Sequence, residues 1–97
     1  MKKLLLLLLL AFGLISSTYA TAHTQLFEEG MAAYKEGNYE KALSRFELDA
    51  STGDYEGNSN LMLGFMYLEG QGTQKDIETG INYIASSAEK GSARAYF

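Results

Sequence analysis

The sequence contains no cysteine, no proline, no tryptophan and only one histidine, His23, among its 97 residues. Without cysteine the chain forms no disulfide, so packing alone must stabilise it. Zinc sites need several His or Cys ligands at set spacing, and these are missing. We therefore expect no metal site and no cofactor. The absence of proline suits a chain that consists mainly of helices joined by short turns.

The one long apolar run lies at the N-terminus, within the three-part layout of a secretory signal peptide. Two lysines precede twelve uncharged, almost wholly apolar residues at 4–15, and small or polar residues follow. A bilayer core needs about 20 apolar residues, so an uncleaved membrane anchor is the less favoured alternative. Small side chains permit cleavage before Thr21 or before His23. Residues 1–22 therefore predict a secreted or periplasmic protein that leaves the membrane after cleavage.

Positive charge is scarce in the remaining chain. Cleavage before His23 leaves a mature chain, 23–97, with six lysines and arginines against twelve aspartates and glutamates, a formal net charge of −6. This balance argues against nucleic acid and anionic lipid as partners. It also opposes an aromatic stacking platform for nucleic acid, although tyrosine and phenylalanine are frequent. A protein or peptide is the expected partner.

Four stretches show apolar residues at helical spacing, and glycine-centred breaks separate them. They cover about 24–35, 39–51, 58–69 and 76–90. The third is apolar nearly all the way round, which is typical of a helix buried on more than one side. The pattern predicts an all-α fold in which the third helix lies between neighbours.

The third and fourth stretches share ten residues at fixed offsets with a known repeat. These are Leu63, Gly64, Tyr67, Gly70, Gly72, Asp76, Tyr83, Ala88, Glu89 and Gly91. In these positions the chain resembles the Sel-one-like repeat family, which is related to tetratricopeptide repeats. It departs from that pattern at Thr73, where the family has valine, and at Thr79-Gly80, where it has Lys-Ala. A glycine inside a helix costs about 1 kcal/mol relative to alanine.

The first and second stretches match more loosely. They contain Gly30, a Tyr34-to-Ala42 turn segment and Phe46, and in these they resemble a tetratricopeptide repeat. Asp49 stands where that family has a small residue. The resemblance implies an antiparallel helix-pair solenoid in domain 23–97. Its parts are unit one at about 24–53, unit two at about 58–91 and the start of a third unit at 92–97.

The residue types at the signature positions of the repeat agree with structural roles. Gly64 would let helix backbones approach, and Tyr67 and Tyr83 would fill the space between helices. Gly70 and Gly72 would let a short loop turn sharply, and Asp76 would cap the fourth helix, which Gly91 would end.

In solenoids of this shape the first helix of each unit lines a concave surface, and the resemblance implies a groove there for a peptide or partner helix. Seven positions turned away from the second helix are candidates, although some of the apolar ones could instead pack between repeats. They are Met31, Tyr34, Lys35, Asn58, Leu61, Phe65 and Glu69.

No pattern favours an enzyme. The Gly70-Gln71-Gly72 loop lacks the strand and the further residues of a phosphate-binding motif. The acidic pairs Glu28/Glu29 and Asp76/Glu78 suit helix starts rather than two carboxyls converging across a cleft. Ser86-Ser87 has no histidine or cysteine to activate it.

Three functions remain, and the first is an exported scaffold that binds a protein partner. The second is the N-terminal part of a longer repeat array whose surfaces stack on further repeats, and the ending at Tyr96-Phe97 favours it because a terminal repeat should present a polar cap. The 75 residues of the mature chain alone are expected to be marginally stable or to dimerise through that end. The third, a small hydrolase, has no constellation of residues to support it.

Overall fold

The computed structural model describes residues 25–54 and 56–91. Those residues form four α-helices and no β-strand, so the predicted all-α fold is confirmed for them. The helices are α1 at 25–35, α2 at Tyr39–Gly53, α3 at Asn58–Glu69 and α4 at Ile77–Glu89. The signal peptide predicted at 1–22, the adjoining His23 and Thr24, and the third unit predicted to start at 92–97 lie outside the described residues.

Two polar side chains mark where the second helix of each pair begins. The Asn38 side chain accepts a hydrogen bond from the Lys41 backbone N–H (3.3 Å), and the Asp76 carboxylate accepts one from the Thr79 N–H (3.1 Å). Both bonds satisfy a donor that has no partner within the helix. The cap at Asp76 confirms the prediction. A Gly-Asn pair is typical of a helix end, so the sequence predicts that Gly37-Asn38 ends α1. Asn38 instead has a φ of −85° and begins α2.

Each helix runs antiparallel to the next. At one end of the first pair the rings of Phe27 and Phe46 lie 5.8 Å apart, and at the other end Tyr34 and Tyr39 lie 5.1 Å apart. Helices α3 and α4 pair in the same way, because the N-terminus of α3 contacts the C-terminal half of α4. Helix α3 packs against both α2 and α4, which confirms its predicted position between neighbours.

The hydrophobic core is shared by the first three helices. Its fully buried members are Ala33 of α1, Ala42 and Phe46 of α2, and Leu63 and Met66 of α3. Because the core crosses from one helix pair to the next, neither pair encloses its apolar residues alone.

Buried polar bonds fix the turn between α2 and α3. The hydroxyl of Ser59 donates to the Asp49 carboxylate, with the oxygens 2.5 Å apart. The Asp54 carboxylate accepts from both the backbone N–H and the side-chain amide of Asn60, each at 2.8 Å. A buried carboxylate needs such donors to offset its lost hydration. Asp49, which differs from the repeat pattern that the sequence resembles, therefore joins α2 to α3.

The close crossing of α3 and α4 depends on two glycines. A Cβ added at Gly64 would lie 2.5 Å from Ile84 Cγ1, and one added at Gly80 would lie 2.9 Å from the Gly64 carbonyl oxygen. The glycines therefore face each other where the helices touch. Gly80 departs from the repeat pattern and lowers helix propensity, and this contact is the physical reason for it.

Candidate protein-binding surface

The seven predicted partner-binding residues fall into three levels of exposure. Lys35, Phe65 and Glu69 are exposed, and 41% of Phe65 is open to solvent. Met31, Tyr34 and Asn58 are partly buried, whereas Leu61 is only 2% exposed. An aromatic side chain held open to this degree is the strongest feature of the set, because aromatic anchors carry much of the energy of protein interfaces.

Leu61 and Tyr34 do not lie on an open surface. Leu61 is interior, so its side chain is not available to a partner. The Tyr34 ring packs on Tyr39 of α2, and its hydroxyl donates to the Gln71 side-chain oxygen at 3.0 Å. Tyr34 therefore links the two helix pairs. Helical spacing alone placed it on the outside, but the loop after α3 lies over it.

Met31 and Asn58 also have neighbours of their own. Met31 packs against the hydrophobic core, and the Asn58 amide donates to the exposed carboxylate of Glu56 at 3.0 Å. The open part of the predicted surface is consequently smaller than the sequence indicated. It consists of Lys35 at the end of α1, and Phe65 and Glu69 one turn apart on α3.

Most residues expected to have structural roles lie at the contacts between helices. The rings of Tyr67 and Tyr83 stack at 5.5 Å with an angle of 23° between their planes. Gly72 touches the α2 N-terminus, because a Cβ there would lie 2.6 Å from the Tyr39 carbonyl oxygen. Gly70 directly follows α3, and its N–H donates to the Met66 carbonyl at the helix end.

The remaining signature residues belong to α4 and its ends. Asp76 receives two bonds from Thr79, from its backbone N–H and from its hydroxyl at 2.7 Å. These bonds hold the pKa of Asp76 below its ordinary value of 3.8. Ala88 is partly buried near the end of α4, and Gly91 follows that end with a φ of +91°.

Sequence reasoning missed two exposed isoleucines on α4. Helical spacing assigns Ile77, Ile81 and Ile84 to one apolar face, but Ile77 and Ile81 are each 55% exposed whereas Ile84 is partly buried. Ile77, Ile81 and the exposed Ala85 are four residues apart, so they form a stripe along the outside of the helix. The unusually wide apolar face of α4 was the feature of the sequence that could have revealed these exposed residues.

Helical spacing assigns Glu47 to the side of α2 opposite its apolar residues, so the sequence predicts no contact for it. The Tyr67 hydroxyl donates to Glu47 Oε1 at 3.2 Å, so a carboxylate of the first helix pair meets the stacked tyrosines of the second. Burial and then the Glu47 charge raise the pKa of both Tyr67 and Tyr83 above 10.0.

These raised pKa values predict a loss of stability in alkaline solution. The folded state holds the two phenolic protons more tightly than the unfolded state, so this contribution is complete below pH 10.0 and is lost as pH rises above 10.0 through the higher pKa values of the folded state. We expect Glu47→Gln to lower the pKa of both tyrosines, measured by tyrosinate absorbance against pH. Superimposable titrations of the two proteins would contradict the assignment.

The described residues contain no group of three or more His, Asp or Glu side chains that could hold a metal ion. No helix in that part of the chain is long and apolar enough to cross a bilayer.

No protein-family profile matches the chain, and no curated protein or solved structure is significantly similar to it.

Proposed function

We propose that the protein is a repeat module of the Sel-one-like type that binds a protein or peptide partner and has no catalytic role. One observation carries the proposal: the same contact recurs in both helix pairs. A Cβ at Gly30 would lie 2.6 Å from the Phe46 ring, and a Cβ at Gly64 would lie 2.5 Å from the Ile84 side chain.

The spacing of this contact along the chain agrees with the lengths of the loops in the two helix pairs. The separation between Gly64 and Ile84 along the chain exceeds that between Gly30 and Phe46 by four positions. The three-residue turn at 36–38 and the seven-residue loop at 70–76 differ in length by the same amount. Two units with one internal architecture and a shared core support the solenoid interpretation.

The same alignment of the two helix pairs places the exposed residues of α1 and α3 at equivalent positions. The alignment that brings Gly30 onto Gly64 brings Met31 onto Phe65 and Lys35 onto Glu69. In stacked units, equivalent positions of the first helices line one face. Phe65, with Lys35 and Glu69 on the same face, is therefore the proposed contact surface, and neither Leu61 nor Tyr34 belongs to it.

A second candidate function, stacking on a further helix pair or another copy, is favoured by the α4 stripe. The alignment that brings Phe46 onto Ile84 also brings Tyr39 and Leu43 of α2 onto Ile77 and Ile81 of α4. Tyr39 and Leu43 are partly buried and pack against the core. The α4 residues in the equivalent positions are exposed, which is expected of a surface that receives another helix.

The proposed place of action is outside the cytoplasm. The signal-peptide layout of residues 1–22 supports export to a periplasm or to the medium. A domain without cysteine forms no disulfides in an oxidising compartment, so its cysteine content does not conflict with that location.

Selection of a displayed random-peptide library on the purified protein tests both functions. We expect enriched peptides whose affinity falls at least about tenfold with Phe65→Asp, because the change removes an aromatic anchor. Leu48→Asp is the matched control, since Leu48 is a comparably exposed residue on α2. Affinity is measured by titration calorimetry for each variant.

The pattern of losses separates the two functions. A loss of peptide affinity with Ile81→Asp, and none with Phe65→Asp, would show that the α4 stripe is the binding surface. Failure to enrich any peptide, or equal losses with Leu48→Asp and Phe65→Asp, would overturn the proposal.

A further inference from the structure

Three side chains from three helices meet at one partly exposed place. Tyr67 of α3 and Tyr83 of α4 stack with ring centroids 5.5 Å apart. Glu47 of α2 lies at the edge of this pair and accepts the Tyr67 hydroxyl bond at 3.2 Å. Glu47 is exposed and both tyrosines are only partly buried, so the carboxylate and part of each tyrosine side chain are open to solvent.

The charge of this carboxylate is not neutralised by a salt bridge within the described part of the chain. No lysine or arginine there pairs with Glu47, and Arg45, two positions earlier, is bound to Glu29 at 3.0 Å. The negative charge acts on both tyrosines, since it helps to raise the pKa of each. The described residues as a whole are also acidic, with twelve acidic side chains against five lysines and arginines.

This combination selects the class of ligand. A negative site repels anions, and one carboxylate with two neutral phenols offers too few oxygens for a calcium or magnesium ion. A guanidinium fits both features, because it donates parallel N–H bonds to a carboxylate and stacks on aromatic faces. An ammonium ion would gain the charge interaction but less from the rings, since it is more strongly hydrated.

We propose that Glu47, Tyr67 and Tyr83 form a binding site for the arginine side chain of a peptide partner. The assignment to a peptide rests on the proposed function, whereas the preference for a guanidinium rests on the site itself. Because Glu47 belongs to the first helix pair and the tyrosines to the second, the site exists only when the two pairs are packed together.

The test uses N-acetyl-arginine methylamide as the probe and the NMR signals of the tyrosine rings as the readout. We expect the probe to shift the ring signals of Tyr67 and Tyr83. The corresponding citrulline derivative, which has the same shape without the charge, should bind at least about tenfold more weakly. The lysine derivative should bind with intermediate affinity.

Variants separate the site from general charge attraction. Glu47→Gln should weaken arginine binding about fivefold or more, because it removes the charge and keeps the side-chain shape. Glu36→Gln removes the same charge from the exposed turn after α1 and should leave binding unchanged. Tyr67→Phe keeps the stacked rings, so it should still bind the probe.

Two results would overturn the inference: equal binding of the arginine and citrulline derivatives, or equal losses with Glu47→Gln and Glu36→Gln. Neither result depends on finding a peptide partner. If the library selection enriches no peptide while the arginine derivative binds at Glu47, the proposed peptide-binding function is contradicted and the guanidinium site is still supported.

Discussion

Gly72→Ala is expected to lower the free energy of unfolding by about 3 kcal/mol or more, enough to unfold much of a domain of this size. Gly72 has a φ of +74°, which costs an L-residue about 1–2 kcal/mol. The added Cβ would also lie 2.6 Å from the Tyr39 carbonyl oxygen and 2.9 Å from the Glu40 backbone nitrogen. Backbone atoms cannot rotate away as a side chain can, so the loop must separate from the first helix pair.

Gly37→Ala is the matched control for this substitution. Gly37 has a similar φ of +80°, but no atom lies within 4 Å of an added Cβ. We expect it to cost only the backbone term, about 1–2 kcal/mol. Urea denaturation followed by circular dichroism measures both variants. Equal losses would show that the loop does not touch α2, and the packing of the two units described above would be wrong.

Gly64→Ala is expected to destabilise the protein by about 1–3 kcal/mol, although alanine is the better helix former. Helix propensity alone predicts a gain of about 1 kcal/mol at this position. The added Cβ would lie 2.5 Å from Ile84 Cγ1 and 3.0 Å from the Gly80 carbonyl oxygen, so α3 and α4 must move apart. The sign of the change in the free energy of unfolding therefore shows whether helix propensity or helix packing dominates at this position.

A double-mutant cycle with Ile84→Ala identifies the source of this loss. That substitution removes Cγ1, the atom nearest to the added Cβ, so Gly64→Ala should cost at least about 1 kcal/mol less in its presence. Ser44→Ala, at an exposed position of α2, should change stability by less than about 0.5 kcal/mol. A gain in stability from Gly64→Ala alone would contradict the close crossing of α3 and α4.

The local features of the fold could be predicted from the sequence because they depend on neighbouring residues. Helix α3 begins and ends at the predicted residues, Asn58 and Glu69. The cap of α4 at Asp76 was also predictable, since a capping side chain bonds to a backbone only three residues away.

The candidate surface could be predicted only in part. Phe65 and Leu61 are four residues apart on the same helix, and helical spacing assigns them to one face. The structure leaves Phe65 exposed and buries Leu61. Periodicity gives the direction of a side chain from its own helix, but it does not say how far along the axis a neighbouring element covers that side.

The sequence by itself determined the approximate bounds of the four helices that the structure describes and the cap of α4 at Asp76, because periodicity and capping act over a few residues. Only the tertiary structure decided the meaning of residues that depart from the repeat pattern. Asp49 and Gly80 differ from the residues of the repeats that the sequence resembles, yet one bonds Ser59 of the next helix and the other faces Gly64. Both partners belong to a neighbouring helix, so they lie beyond the range over which local sequence patterns act. The arrangement of Glu47 beside Tyr67 and Tyr83 has the same origin, since three helices must pack before these side chains meet.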